Sequence, residues 1–338
     1  MNKNEIPEKI IHWYDDYGRK NLPWQVENTY YVWVSEIMLQ QTQVLKVIEY
    51  FNKFITSFPT LIHLAQASLD EVLSHWSGLG YYNRARNIHK TAQICSENYQ
   101  GQLPTDLNSL IALPGIGRTT AGAILSLALD KPYPILDGNV KRVMSRLFMI
   151  KAEKQSQFMN LLWCKVESLM PKENARKYNQ ALMDIGSMLC KKNKPLCMQC
   201  PLIKSCKAQQ SGQLDQYPQK NKRPKQVELS LFGLMIIDGD NIYLQKRDEL
   251  SIWPQLWFLP LFDSHEDLMK KVVEIKLEIF NSFSVTHVLT HRKLDIQVTV
   301  LKDCKQTVNQ GKWHEISSIN SIPHPKALEK IMKFSNIY

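Results

Sequence analysis

Apolar positions recur at the helical interval through the first two-thirds of the chain. Between 30 and 55, Val34, Ile37, Met38, Val44, Leu45, Ile48, Phe51 and Ile55 fall on one stripe, predicting a single helix stopped by Phe58-Pro59. Gln41 interrupts that stripe with a polar side chain. The same interval predicts helices over 69–76, 82–97, 107–112, 119–129, 139–148, 158–170 and 175–190. Short breaks such as SGLG at 77–80 and LPGIG at 113–117 separate many of them. Past 225 the period changes to two, clearest in LDIQVTVL at 294–301. Strands are predicted at 229–237, 242–245, 257–262 and 294–301, with a helix over 266–280. Between the two regimes, QYPQKNKRPK at 216–225 is polar, basic and proline-bearing, as a linker is. The expected layout is an all-α domain over 1–215, a linker over 216–227 and an α+β domain over 228–338.

Composition adds the partner class. With 44% hydrophobic and 22% charged residues in 338, the chain has ordinary globular values, which excludes disorder as its dominant state. No apolar run approaches the roughly 18 residues of a membrane helix, and the opening MNKNEIPEKI lacks the apolar stretch of a secretory signal. A cytosolic protein with reduced cysteines is expected. The net charge of +10 is unevenly held: residues 1–228 carry 29 basic and 19 acidic side chains, residues 229–338 carry 13 of each. An anionic partner is therefore expected for the first domain and not for the second.

Three features carry candidate chemistry. Cys190, Cys197, Cys200 and Cys206 are spaced C-x6-C-x2-C-x5-C, enough thiolates to enclose one metal centre, and spacing alone leaves zinc and iron–sulfur equally open. Lys191, Lys192, Lys194, Lys204 and Lys207 surround them and suit phosphate contact. Cys95, Cys164 and Cys304 stand alone and read as packing residues. Gly115 and Gly117, in LPGIG before Arg118-Thr119-Thr120, permit a tight turn whose N–H groups face an anion, or an ordinary interhelical turn. Two carboxylates stand in distinctive settings. Glu36 lies among Trp33, Val34, Ile37 and Met38, either as a neutral acid or as a solvated surface glutamate. Asp137 precedes Gly138-Asn139 and a helix, the position of an N-cap.

Taken together, LPGIGRTTA, Asp137 about twenty residues on and the cysteine spacing resemble the endonuclease III superfamily of DNA glycosylases. SEIMLQQTQV at 35–44, GLGYYNRARN at 78–87 and ILDGNVKRV at 135–143 look like the MutY-type adenine DNA glycosylase family. The resemblance runs from about Trp13 to Cys206 and, more weakly, through a MutT-like (Nudix-fold) C-terminal domain. It implies an all-α helix–hairpin–helix domain whose four cysteines bind a [4Fe–4S] cluster. It implies that Glu36 protonates the adenine and activates water, while Asp137 stabilises the sugar cation by its charge or by covalent capture, with Asn139 orienting the site. Arg19, Trp24 and Gln180 are implied to line the adenine pocket, and Gln41 and Tyr81 to enter the base stack. Thr119 stands where lyase-competent relatives have a lysine, so the chemistry is expected to stop at an abasic site. The implied substrate is duplex DNA with adenine opposite 8-oxoguanine or guanine, met by a monomer in the cytoplasm, associated with the nucleoid.

The C-terminal part has no GxxxxxEx7REUxEE run, which predicts no nucleotide hydrolysis. Where the family writes Phe-Ser-His in its lesion-reading loop, this chain has Leu289-Thr290-His291. A bifunctional endonuclease III-like glycosylase/lyase and a non-catalytic iron–sulfur DNA-binding protein are the competing readings. Glu36 and the C-terminal domain argue against the first, and the paired carboxylates against the second.

Overall fold

A computed structural model describes residues 5–219, 226–303 and 311–335. The chain forms two compact units: residues 1–67 with 86–221, and residues 68–85 with 222–338. One division falls inside the expected linker. The other is a finding that periodicity does not carry: the helix Leu69–His75 and the turn after it group with the C-terminal unit.

The first unit is helical throughout. Most elements lie near their expected positions, among them Leu107–Ile111, Arg118–Ala123, Gly138–Phe148, Gln155–Ser168 and Ala175–Asp184. Two helices end in a π-turn, Ile124–Ala128 and Ile185–Leu189. Glu5–Tyr17 and Leu61–Gln66 were not expected. The stripe over 30–55 is not one helix: Thr29–Leu39 and Val44–Ser57 are separated at Gln41, whose φ of 60° takes the backbone out of the right-handed region. The main core of this unit gathers Ile10 and Trp13 of the first helix against Val140, Met144 and Leu147, and against Tyr178, Leu182 and Ile185. That packing brings the N-terminus of Gly138–Phe148 beside the helix Ala175–Asp184. Gly186 permits the approach, since a Cβ there would lie 2.5 Å from the Asn139 Cβ.

The second unit is built on a seven-stranded mixed sheet in the order β3-β2-β1-β6-β5, with β4 on β1 and β7 on β2. Its strands are β1 (Val227–Asp238), β2 (Asn241–Lys246), β3 (Trp257–Phe258), β4 (Leu261–Phe262), β5 (Asn281–Val288), β6 (Arg292–Lys302) and β7 (Gly311–Glu315). β1 and β6 run parallel from Val227↔Arg292 to Ile237↔Lys302. Because successive side chains point to opposite faces, Met235 and Ile237 pack toward Leu328 and Ile331 of Lys326–Phe334. Leu234 and Ile236 pack toward Leu268 and Val272 of His265–Ile275. The helix expected over 266–280 ends at Ile275, where Lys276 adopts φ 59° and frees the chain to form β5. Cys95 is buried as expected; Cys164 is exposed, so it is not a packing residue; Cys304 lies outside the described residues.

Candidate active site

Glu36 lies on the helix Thr29–Leu39, started by Asn28, whose Oδ1 accepts from Tyr30 N–H at 2.9 Å and Tyr31 N–H at 3.1 Å. Its neighbours Trp33, Val34, Ile37 and Met38 are no more than 3% exposed, while Glu36 itself keeps part of its surface open. Burial, and then the negative charge of Asp137, push the Glu36 carboxyl up to about 8. A half-buried acid of this kind holds its proton near neutrality and can still be reached by a substrate.

Asp137 caps Gly138–Phe148, its Oδ1 accepting from Val140 N–H at 2.7 Å and its Oδ2 from the Asn139 side-chain amide at 2.9 Å. The expected capping and the proximity to Glu36 therefore coexist in one side chain. Asn139 is held in turn by Arg142, whose Nη2 donates to Asn139 Oδ1 at 2.9 Å and to the Gly186 carbonyl at 2.6 Å. Arg142 Nε donates to the Cys190 carbonyl at 2.6 Å. A continuous chain of hydrogen bonds thus runs from the Asp137 carboxylate to the backbone of the first clustered cysteine. Sequence reasoning missed Arg142, although a cation three residues past Asn139, on the same helix face, is a readable signal.

Arg19 and Gln180 meet through a residue that sequence reasoning also missed. Asp184, fully buried, accepts from Arg19 Nε at 2.9 Å, from Arg19 Nη2, from the Arg19 backbone N–H at 2.8 Å and from Gln180 Nε2 at 3.1 Å. A buried carboxylate requires such partners. Trp24 is 4% exposed and stacks edge-on against Phe51, a packing position rather than an open wall.

In the hairpin, Gly115 has φ 76° and no room for a Cβ, which would sit 2.8 Å from the Asn87 Cβ. Gly117 faces open space, and no side chain caps the helix that follows it. Its first N–H groups are therefore presented outward, as anion binding needs. Arg118 does not share in this, since its guanidinium lies 4.1 Å over Trp163 and pairs with Glu167. Thr119 donates its hydroxyl to the Leu136 carbonyl at 3.3 Å, one residue before Asp137. Gln41 is exposed.

The thiols of Cys197, Cys200 and Cys206 are raised, first by burial, that of Cys200 to about 12, and each also responds to the charge of Cys190. Deprotonating them together requires a positive centre in their midst. Arg146 Nη1 donates to Cys190 Sγ at 3.4 Å and to the Lys191 carbonyl at 2.7 Å, stitching the loop to Gly138–Phe148. Among the described residues no three His, Cys, Asp or Glu side chains close on a single-ion site.

In the second unit, Leu289, Thr290 and His291 form the turn between β5 and β6, closed by Leu289 N–H to the Arg292 carbonyl at 2.7 Å. Thr290 and His291 are exposed, while Leu289 packs against the sheet's core. The residue that departs from the family's loop is turned inward. Tyr81 is 48% exposed with φ 53°.

The chain is similar to known DNA repair proteins. Residues 34–168 match the model of the HhH-GPD superfamily of base excision DNA repair proteins, and residues 232–334 match the NUDIX domain. The chain is 41% identical over 344 residues to an adenine DNA glycosylase of Buchnera aphidicola (subsp. Acyrthosiphon pisum), covering 98% of both. An adenine DNA glycosylase of Homo sapiens is 39% identical over 218 residues, 61% of this chain and 40% of that protein. Among solved structures, a thermostable thymine-DNA glycosylase aligns with TM-score 0.55 at 25% identity, covering 62% of this chain and 97% of that one. A non-covalent endonuclease III–DNA complex aligns with TM-score 0.53 at 24% identity over 63% and 98%, a likeness of fold. No helix among the described residues is long and apolar enough to cross a membrane.

Proposed function

The chain belongs to the adenine DNA glycosylases of base excision repair, and from that premise we propose that it excises adenine mispaired with 8-oxoguanine or guanine and stops at an abasic site. The observation that carries this reading is the pair of unlike carboxyls. Glu36 is pushed up to about 8 by burial and by the charge of Asp137. Adenine leaves poorly as an anion, so an acid that is protonated at neutral pH must supply a proton to the base as the N-glycosidic bond breaks. Asp137, fixed by Val140 and Asn139, then faces the cationic sugar, and Glu36, now ionised, draws a proton from the water that attacks C1′. Thr119 has no amine with which to form an imine, so the strand stays intact.

Arg19 and Gln180, held by Asp184, bound the adenine pocket in this reading, while Trp24 supports it from the core. The N–H groups after Gly117 take a phosphate, and Gln41 fills the space left when the adenine swings out of the stack. Cys190, Cys197, Cys200 and Cys206 would hold the [4Fe–4S] cluster. Three of the four thiols are raised by burial, so they would ligate as thiolates only around a cationic centre. When bound, the cluster would tie the four cysteines into one fixed loop and supply no step of the hydrolysis. Thr290 and His291 read the base opposite, as a monomer on duplex DNA.

Single-turnover assays on duplexes bearing A·8-oxoguanine, A·G and A·T test the assignment. Excision from the first two, little from the third, and strand breaks only after alkali are expected. Equal excision from all three, or breaks without alkali, would overturn it.

A further inference from the structure

We propose that the C-terminal sheet unit sets the position of Tyr81, through one hydrogen bond and one ion pair to the segment 68–85. This rests on the proposed function together with the expectation that Tyr81 enters the base stack, here taken to be beside the base opposite the adenine, and adds a mechanical origin for its placement.

The turn carrying Tyr81 is internally tight. Gly78, Gly80 and Tyr81 all have positive φ, 87°, 73° and 53°. The tyrosine, unlike the glycines, adopts that conformation against its own Cβ, so the surroundings must over-determine it. Trp76, fully buried, donates its indole N–H to the Gly80 carbonyl at 3.2 Å. Arg84 Nη2 donates to the same carbonyl at 3.1 Å, and its guanidinium lies 5.3 Å from the Trp76 ring and 5.5 Å from the Tyr81 ring. Turn and ring therefore move together.

A hydrogen bond and an ion pair, both among the described residues, fasten this body to the sheet. The Tyr82 hydroxyl donates to the His324 carbonyl at 2.7 Å. Lys246 Nζ, at the end of β2, pairs with Asp70 Oδ1 at 2.6 Å, in the first turn of Leu69–His75. Both anchors meet at Trp257 of β3, which is paired with Lys246 in the sheet register and donates its N–H to the Pro323 carbonyl at 2.8 Å. His324 is 2% exposed, so its carbonyl is a fixed acceptor. A residue one position from Tyr81 is thus bonded to rigid backbone of the unit that also carries Thr290. Lys246, Asp70 and Tyr82 are positioning residues, and they act through the Tyr81 ring.

The test uses the full chain with Tyr82→Phe, which removes one hydroxyl, Lys246→Glu, which reverses one charge, and Lys246→Arg, which keeps the pair. Hydrogen exchange of the peptide spanning 76–85 is read alongside single-turnover excision from A·8-oxoguanine and A·G. Tyr82→Phe and Lys246→Glu are expected to speed exchange in that peptide several-fold. They should slow excision from A·8-oxoguanine by about 5- to 20-fold and from A·G by less, with Lys246→Arg near the parent in both. Parental exchange in Tyr82→Phe and Lys246→Glu, or a Lys246→Arg variant as impaired as Lys246→Glu, overturns the proposal. Exchange that responds while the parent protein treats A·8-oxoguanine and A·G alike would uphold the anchoring and sink the lesion-reading assignment instead.

Discussion

Replacing Glu36 with glutamine separates what this side chain does for the chemistry from what it costs the fold. In the unfolded chain its carboxyl releases a proton near 4.5; in the folded state burial and Asp137 hold the proton up to about 8. Across that window the folded state binds more protons than the unfolded one, so stability falls as pH rises through it, and the loss is complete above about 8. At about 1.4 kcal/mol per pH unit, the penalty at pH 7.4 has a ceiling of about 4 kcal/mol. Because part of the side chain meets solvent, we expect about 1–3 kcal/mol. Glutamine fills the same space and cannot ionise, so Glu36→Gln should unfold at higher urea than the parent at pH 8, and at nearly the same urea at pH 5. With slopes of about 1–3 kcal/mol per molar urea, the difference at pH 8 amounts to roughly 1 M in midpoint. Comparing variant with parent cancels every contribution that the substitution leaves unchanged. The same variant should lose about 100- to 10,000-fold in single-turnover excision, the range of a positioned acid. Identical midpoint differences at pH 5 and pH 8 would refute the burial argument. Stabilisation with undiminished excision would refute the role.

Parental excision should fall tenfold per pH unit above about 8, where Glu36 loses its proton, and a profile flat to pH 9.5 would remove it as the acid. Gly186→Ala forces a methyl to within 2.5 Å of the Asn139 Cβ. It should cost about 1–3 kcal/mol as overpacking and slow excision by displacing the partner of Asp137, to be read by urea titration and single-turnover rate. Asp184→Ala leaves the Arg19 guanidinium without its buried counter-charge and should cost about 3–5 kcal/mol. The double change Arg19→Met with Asp184→Leu should recover most of that loss, and equal instability of both proteins would show that the pair is not the cause.

What the sequence made legible was whatever depends on local period and on residues that must be of one type. The helices of the first unit, the four cysteines and the two carboxylates belong to that class, because an apolar stripe and a thiol spacing are written in consecutive residues. Asp184 and Arg142 were not legible, because what defines them is a partner far away in sequence: Arg19 for the one, the Cys190 carbonyl for the other. A hint existed at Asp184, one helical turn after Gln180 on a face otherwise built from Ala181, Leu182 and Ile185. β5 was readable too, since Phe283, Val285 and His287 alternate with exposed residues; the helix extended to Phe280 hid it. The grouping of 68–85 with the sheet has no local signature at all, because Lys246 and His324 are remote from Asp70 and Tyr82.

Gln41 and Tyr81, the two residues proposed to enter the base stack, are among the non-glycine residues that adopt left-handed backbone. The apolar stripe over 30–55 calls for an unbroken helix, and instead the chain breaks at Gln41 with φ 60° and an exposed side chain. The turn before Asn83 would be relaxed with glycine at 81, and instead carries a tyrosine with φ 53° and half its surface open. Left-handed backbone at a residue with a Cβ costs about 1–2 kcal/mol. The exposed glutamine buries nothing in the core, and the half-exposed tyrosine gains only its approach to Arg84. Neither conformation is favoured by folding alone, so both must be held by their surroundings: Gln41 between two helices with well-packed faces, Tyr81 by Trp76, Arg84 and the Tyr82–His324 bond. For the proposed entry into a base stack, the backbone cost of turning these two residues outward is met during folding rather than on DNA.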